Sequence, residues 1–198
     1  MDRAYTQHRR ETIDKGQRGM NLAVEETFLF DDFSEPQRAS NGFQWQYISD
    51  TVMGGVSQGA ARHGVLASRP ALQLGGTVSL ENNGGFIQVA LDLGALGETV
   101  DASAARGIAV CLCGDGGSYA INLRTADTQR PWQSYRSRMD STEEWKTHYL
   151  PFSDFIAHRI EKPLDRCRLR RIGLISIGDP GPARVAVSRL ALYRDVPR

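Results

Sequence analysis

From Phe28 onward the apolar and polar positions of the chain alternate in short segments, separated by glycine-rich stretches. Gly85–Leu93 sets Ile87, Val89, Leu91 and Leu93 on one side of a strand. Tyr119–Thr125 sets Tyr119, Ile121 and Leu123 against Ala120, Asn122 and Arg124, and Gln44–Ile48 alternates Trp45 and Tyr47 with polar neighbours. Gly107–Cys113 is almost wholly apolar, as expected of a strand covered on both faces. Further strands are expected at Phe28–Phe33, Gly76–Leu80, Ser134–Met139, Trp145–Leu150, Leu169–Ile177 and Arg184–Tyr193. A hairpin from Val65–Ser68 to Ala71–Leu74 is expected to turn around Arg69-Pro70. No segment carries a 3.6-residue stripe of helical length, although Ala95–Ala105 and Ser153–Ile160 each have room for one short helix or turn. Roughly ten or more strands with little helix imply an all-β fold of two packed sheets or a barrel. Residues 1–27 lack pattern and read as a disordered tail, which leaves one domain over 28–195. Recognisable pattern begins after Met20, which makes that methionine a candidate start.

Composition narrows the function classes. The 24 basic and 23 acidic residues give a net charge of +1, so no global attraction to nucleic acid or a membrane surface is expected. No apolar run reaches the roughly 18 residues of a membrane-spanning helix. No secretory hydrophobic stretch follows the charged N-terminus. The expected compartment is the cytoplasm of a bacterium, or the mitochondrial matrix in a eukaryote. The three cysteines, Cys111, Cys113 and Cys167, do not make a disulfide framework, and a C-x-C pair alone has too few ligands for zinc.

Two segments depart from plain strand and turn chemistry. In Ser49-Asp50-Thr51-Val52-Met53-Gly54-Gly55-Val56-Ser57 an acid precedes a Gly-Gly pair. Gly-Gly permits positive φ or close backbone approach, and Asp50 suits an Asx-turn, so a bulge or corner is expected. In Ser79-Leu80-Glu81-Asn82-Asn83-Gly84-Gly85-Phe86 the Asn83-Gly84 pair is a strong hairpin signal, which leaves Glu81 unexplained. Together the two resemble the complex I intermediate-associated protein 30 family. The likeness continues through Gly117-Ser118-Tyr119, Arg124, Trp132 to Tyr135, Trp145, Leu150-Pro151-Phe152-Ser153-Asp154-Phe155 and Arg171-Ile172-Gly173-Leu174. The resemblance implies a jelly-roll β-sandwich of the galactose-binding-like kind. It also implies the role known for mitochondrial members, chaperoning the assembly of NADH:ubiquinone oxidoreductase. Some relatives carry a nucleotide-binding dehydrogenase-like domain, but no Gly-x-Gly-x-x-Gly opens a helix here, so no dinucleotide or other cofactor is expected.

No catalytic constellation stands out. His8, His63, His148 and His158 belong to no nucleophile or metalloprotease motif. Asp32 and Asp195 would meet if the terminal strands pair, but two acids fall short of the six to eight oxygens of calcium, so no metal is expected. Arg124 ends an alternating strand and has a fork suited to carboxylate or phosphate; its structural alternative is pairing with Asp50 or Glu81. Arg166, Arg168 and Arg170 would share one strand face, as a solvated edge more than a nucleic-acid patch. The expected function is non-enzymatic binding of a protein client, with a carbohydrate or small ligand as the alternative. The expected contacts are Asp50, Met53, Gly54, Gly55, Ser57, Glu81, Asn82, Asn83, Gly84, Gly85, Arg124, Trp132 and Tyr135.

Overall fold

The computed structural model describes residues 23–196. The candidate start Met20 and most of the expected tail lie outside them. The strands are β1 (Ala23–Asp31), β2 (Gln46–Ser49), β3 (Gln58–Leu66), β4 (Arg69–Val78), β5 (Phe86–Asp92) and β6 (Gly107–Gly114). They continue with β7 (Ser118–Thr125), β8 (Ser134–Asp140), β9 (Lys146–Pro151), β10 (Ile156–His158), β11 (Leu169–Ile177) and β12 (Gly181–Val196). Two six-stranded antiparallel sheets form. The first runs β3-β4-β12-β6-β9, with β1 also on β12, and the second runs β10-β8-β7-β11-β5-β2. Among the described residues the helical segments are 3-10 turns, and no helix is long and apolar enough to cross a membrane.

The alternation read from the sequence packs the two sheets together. Ile87, Val89 and Leu91 of β5, with Tyr119, Ile121 and Leu123 of β7, face Ile108, Val110 and Leu112 of β6 in one apolar cluster. β6 is buried along almost its whole length because its other face is covered too. There Cys113 packs with Ala71 and Ala186 beneath Trp145, and Arg69 lies over the Trp145 ring and against Cys111 Sγ.

Several boundaries differ from expectation. β1 begins at Ala23, five residues ahead of Phe28, because β12 extends far enough to pair with it. β3 covers Gln58–Leu66, most of which carries too little apolar pattern to read as strand; it is an edge strand with Ala61 and His63 turned inward. The β3–β4 hairpin turns at Ala67-Ser68, both at positive φ, and not at Arg69-Pro70. Gly76–Leu80 contributes the end of β4 instead of a separate strand. Ala95–Ala105 holds turns and no helix, one of the two forms expected of it, and Ser153–Ile160 holds the end of a 3-10 turn followed by the short strand β10. Arg166 and Arg168 lie in a 3-10 turn ahead of β11, so the expected three-arginine strand face does not form; Arg168 pairs with Asp127 and Asp165.

Candidate functional site

The two Gly-Gly segments meet at one end of the sandwich, and Asp50 joins them. Its carboxylate is fully buried and accepts from Ser57 N–H (2.9 Å), the Ser57 hydroxyl, Gly85 N–H and Phe86 N–H (3.2 Å). The expected Asx-turn is absent: the acid reaches across to two other segments. Burial pushes its pKa up, but the bonds from Gly85, Ser57 and Phe86 outweigh burial and hold it below the usual aspartate value. The glycines make room for this carboxylate. A Cβ on Gly84 would stand 2.5 Å from Asp50 Oδ2, and one on Gly55 would collide with the same group. Gly54 and Gly85 take φ of 88° and 130°, which suit glycine alone.

The Asn83-Gly84 segment is not a hairpin. β4 lies in the first sheet and β5 in the second, so residues 79–85 cross between sheets. Asn82 and Asn83 take the left-handed conformation, with φ of 55° and 57°, in a 3-10 turn over Glu81–Asn83. Their side chains and that of Glu81 are exposed. Beside them Val52, Met53, Val56 and Leu80 are between 39% and 69% exposed. Apolar side chains thus stand on two loops that one buried carboxylate holds in place.

Arg124, Trp132 and Tyr135 do not join this group. Across the second sheet Arg124 is in register with Arg171, and Arg171 with Asp92 at the far end of β5. The six residue steps from Phe86 to Asp92 correspond to about 20 Å. Arg124 therefore pairs with neither Asp50 nor Glu81. Its Nη2 donates to the carbonyls of Thr128 and Arg130 and so holds the β7–β8 loop, while Nε is buried with no partner among the described residues. Tyr135 is a core residue, 1% exposed, whose hydroxyl donates to the carbonyls of Lys162 and Pro163. Trp132 is half-exposed on the β7–β8 loop.

This second end has residues that pattern alone did not single out. Register places Asn122, Arg136, His158 and Arg171 on the outward face with Arg124. Arg171 holds Asp92 through Nε (2.6 Å) and Nη2 (3.0 Å). An open cleft of about 450 Å³ adjoins it, lined by Arg38, Gly42, Phe43, Gln44, Gln46 and Asp92. The alternation of Ser134–Met139 already turned Arg136 away from the core. Its neighbours depend on strand order, which alternation does not encode.

Among the described residues no group of three or more His, Cys, Asp or Glu side chains is placed to hold a metal ion. The terminal strands pair, but Asp32 accepts from Ser34 and Asp195 faces Arg106, so those acids do not combine.

Two antiparallel sheets with this core define a jelly-roll β-sandwich, a fold shared with carbohydrate-binding modules. The chain belongs to the complex I intermediate-associated protein 30 family, whose model matches residues 31–187. No curated protein sequence matches it. Solved structures of similar fold include a family 11 carbohydrate-binding module from Clostridium thermocellum in complex with a β-1,3-1,4-mixed-linked tetrasaccharide. That module shows a TM-score of 0.64 and 15% identity over 86% of this chain and 97% of its own. The family 11 module of a cellulosomal cellulase of the same organism gives a TM-score of 0.65 and 16% identity over 89% and 98%. A family 30 carbohydrate-binding module gives 0.59 and 15% over 86% and 98%. At these identities the likeness is one of fold.

Proposed function

We propose that the chain is a non-enzymatic docking module that holds a protein client, and that the client is a subunit or assembly intermediate of respiratory complex I. The observation that carries this reading is the Gly-Gly end. Val52, Met53, Val56 and Leu80 are exposed on loops that the buried Asp50 ties together, with Glu81, Asn82 and Asn83 as a polar rim. An exposed apolar cluster with a polar border is the anatomy of a protein interface. A surface already held in place loses little conformational entropy on binding. The family supports complex I as the source of the client. Glycan binding, the alternative, draws on the fold and on the exposed Trp132. The strand positions on the outward face of the second sheet carry no tyrosine or tryptophan on which a sugar ring would stack.

The test is affinity capture from the native host, with identification of bound proteins by mass spectrometry, beside a glycan array. Complex I subunits are expected with the wild-type chain and not with a Met53→Asp, Leu80→Asp variant of unchanged melting temperature. Capture without complex I subunits, or strong binding on the array alone, overturns the reading.

A further inference from the structure

The outward face of the second sheet has an unbalanced charge at the end away from Asp50. Across it, Arg136 of β8 stands opposite Asn122 of β7, which stands opposite Gly173 of β11, followed by Ala90 of β5. Gly173 and Ala90 are buried, so the small residues form a low floor beside the longer side chains. Arg136 is half-buried; its Nε donates to Ser134 Oγ of its own strand. Across β10, Ile156 stands opposite Arg136 and His158 opposite Ser134, followed by the exposed Arg159; burial first, then the charges of Arg136 and Arg159, holds the His158 pKa down. Among the described residues no carboxylate lies within 4.0 Å of Arg124, Arg136 or Arg159.

A half-buried guanidinium without a counter-charge is unfavourable and is normally paired. The same face shows the form such pairing takes, since Arg171 grips the Asp92 carboxylate through two parallel bonds. Arg136 has the same fork and no carboxylate. No tyrosine or tryptophan stands at these strand positions, which disfavours nucleobases and sugar rings, since these bind such surfaces by stacking.

We infer that this end of the sheet is a second binding site, which takes an acidic protein segment by seating a carboxylate on Arg136 beside Asn122, with Arg159 and His158 at its edge. The site lies at the opposite end from the Gly-Gly loops and stands apart from the client reading.

The test is fluorescence anisotropy of a labelled oligoglutamate peptide with the full chain at low salt. Oligogalacturonate and oligothymidine of equal charge are the competing probes. Oligoglutamate is expected to bind, to weaken with added salt, and to lose about tenfold or more in affinity in Arg136→Gln, in keeping with the loss of a bidentate charged pair. Arg136→Lys, which keeps the charge without the fork, is expected to fall between. Arg62→Gln, on the exposed edge strand of the first sheet, is expected to bind as the wild type does. Melting temperatures taken in parallel are expected to show all three variants folded. Equal binding by Arg136→Gln and the wild type overturns the site, as does an equal loss in Arg62→Gln. Binding of oligogalacturonate or oligothymidine in preference to oligoglutamate overturns the ligand class.

Discussion

At the scale of single residues, Asp50 determines whether the Gly-Gly end exists as a defined surface. A carboxylate with no exposure is tolerated because its oxygens accept from Ser57, Gly85 and Phe86. Asp50→Asn keeps the size but turns an amide donor toward backbone donors. An expected loss of about 3 kcal/mol, measured by urea unfolding, follows from weakening charge-assisted bonds and leaving a buried donor unmatched. The pH dependence has a definite sign. The folded pKa lies below the unfolded value, so the stabilisation is complete above about pH 4 and is lost as pH falls through the folded value. Asn titrates nothing, so the difference between the variant and the wild type should shrink below that window. A difference that stays constant down to pH 2 would mean that Asp50 is not the ionised hub described.

At the scale of elements, the β3–β4 hairpin shows a local mismatch. Ala67 and Ser68 take φ of 46° and 63°, the conformation of a two-residue type I′ turn, without being residues that favour it. Ala67→Asn with Ser68→Gly is expected to add about 1 kcal/mol and raise the melting temperature by about 2–4 °C. An unchanged or lower melting temperature would show that the turn is not of this type. The same hairpin shows where the sequence stops being legible. Strands with one apolar side, such as β5 and β7, are visible in alternation because their inward positions must be apolar. β3 is an edge strand with Gly59, Arg62 and Gly64 along it, so it lacks that signature. The crossover at Asn83-Gly84 looks like a hairpin because residues at positive φ suit both, and the difference lies in which sheet the next strand joins. The meeting of the two Gly-Gly segments was legible from the motifs taken together. The separation of Arg124 from them was not, since it depends on β11 lying between β5 and β7.

At the scale of the whole molecule, the two outward faces are unlike, and this limits where a partner can sit. The second sheet presents the open cationic surface around Arg136. The first sheet closes its own face: small residues at Ala71, Cys111, Cys113 and Ala186 allow Arg69 and Trp145 to lie down on it. This closure also determines the thiol chemistry. Cys111 and Cys113 are each 6% exposed, and burial, followed by the neighbouring Cys111, pushes the Cys113 pKa up. Cys167 is exposed. With Ellman's reagent at neutral pH, one thiol of the native chain is expected to react quickly and two only as the fold opens. Trp145→Ala removes the cover without touching the inter-sheet core, so both slow thiols should react sooner while the circular dichroism spectrum is preserved. Three thiols reacting together in the wild type would mean that the first face is open. A partner would then have two sheet faces to choose from, and the assignment of binding to the second sheet and the Gly-Gly end would lose its basis in packing.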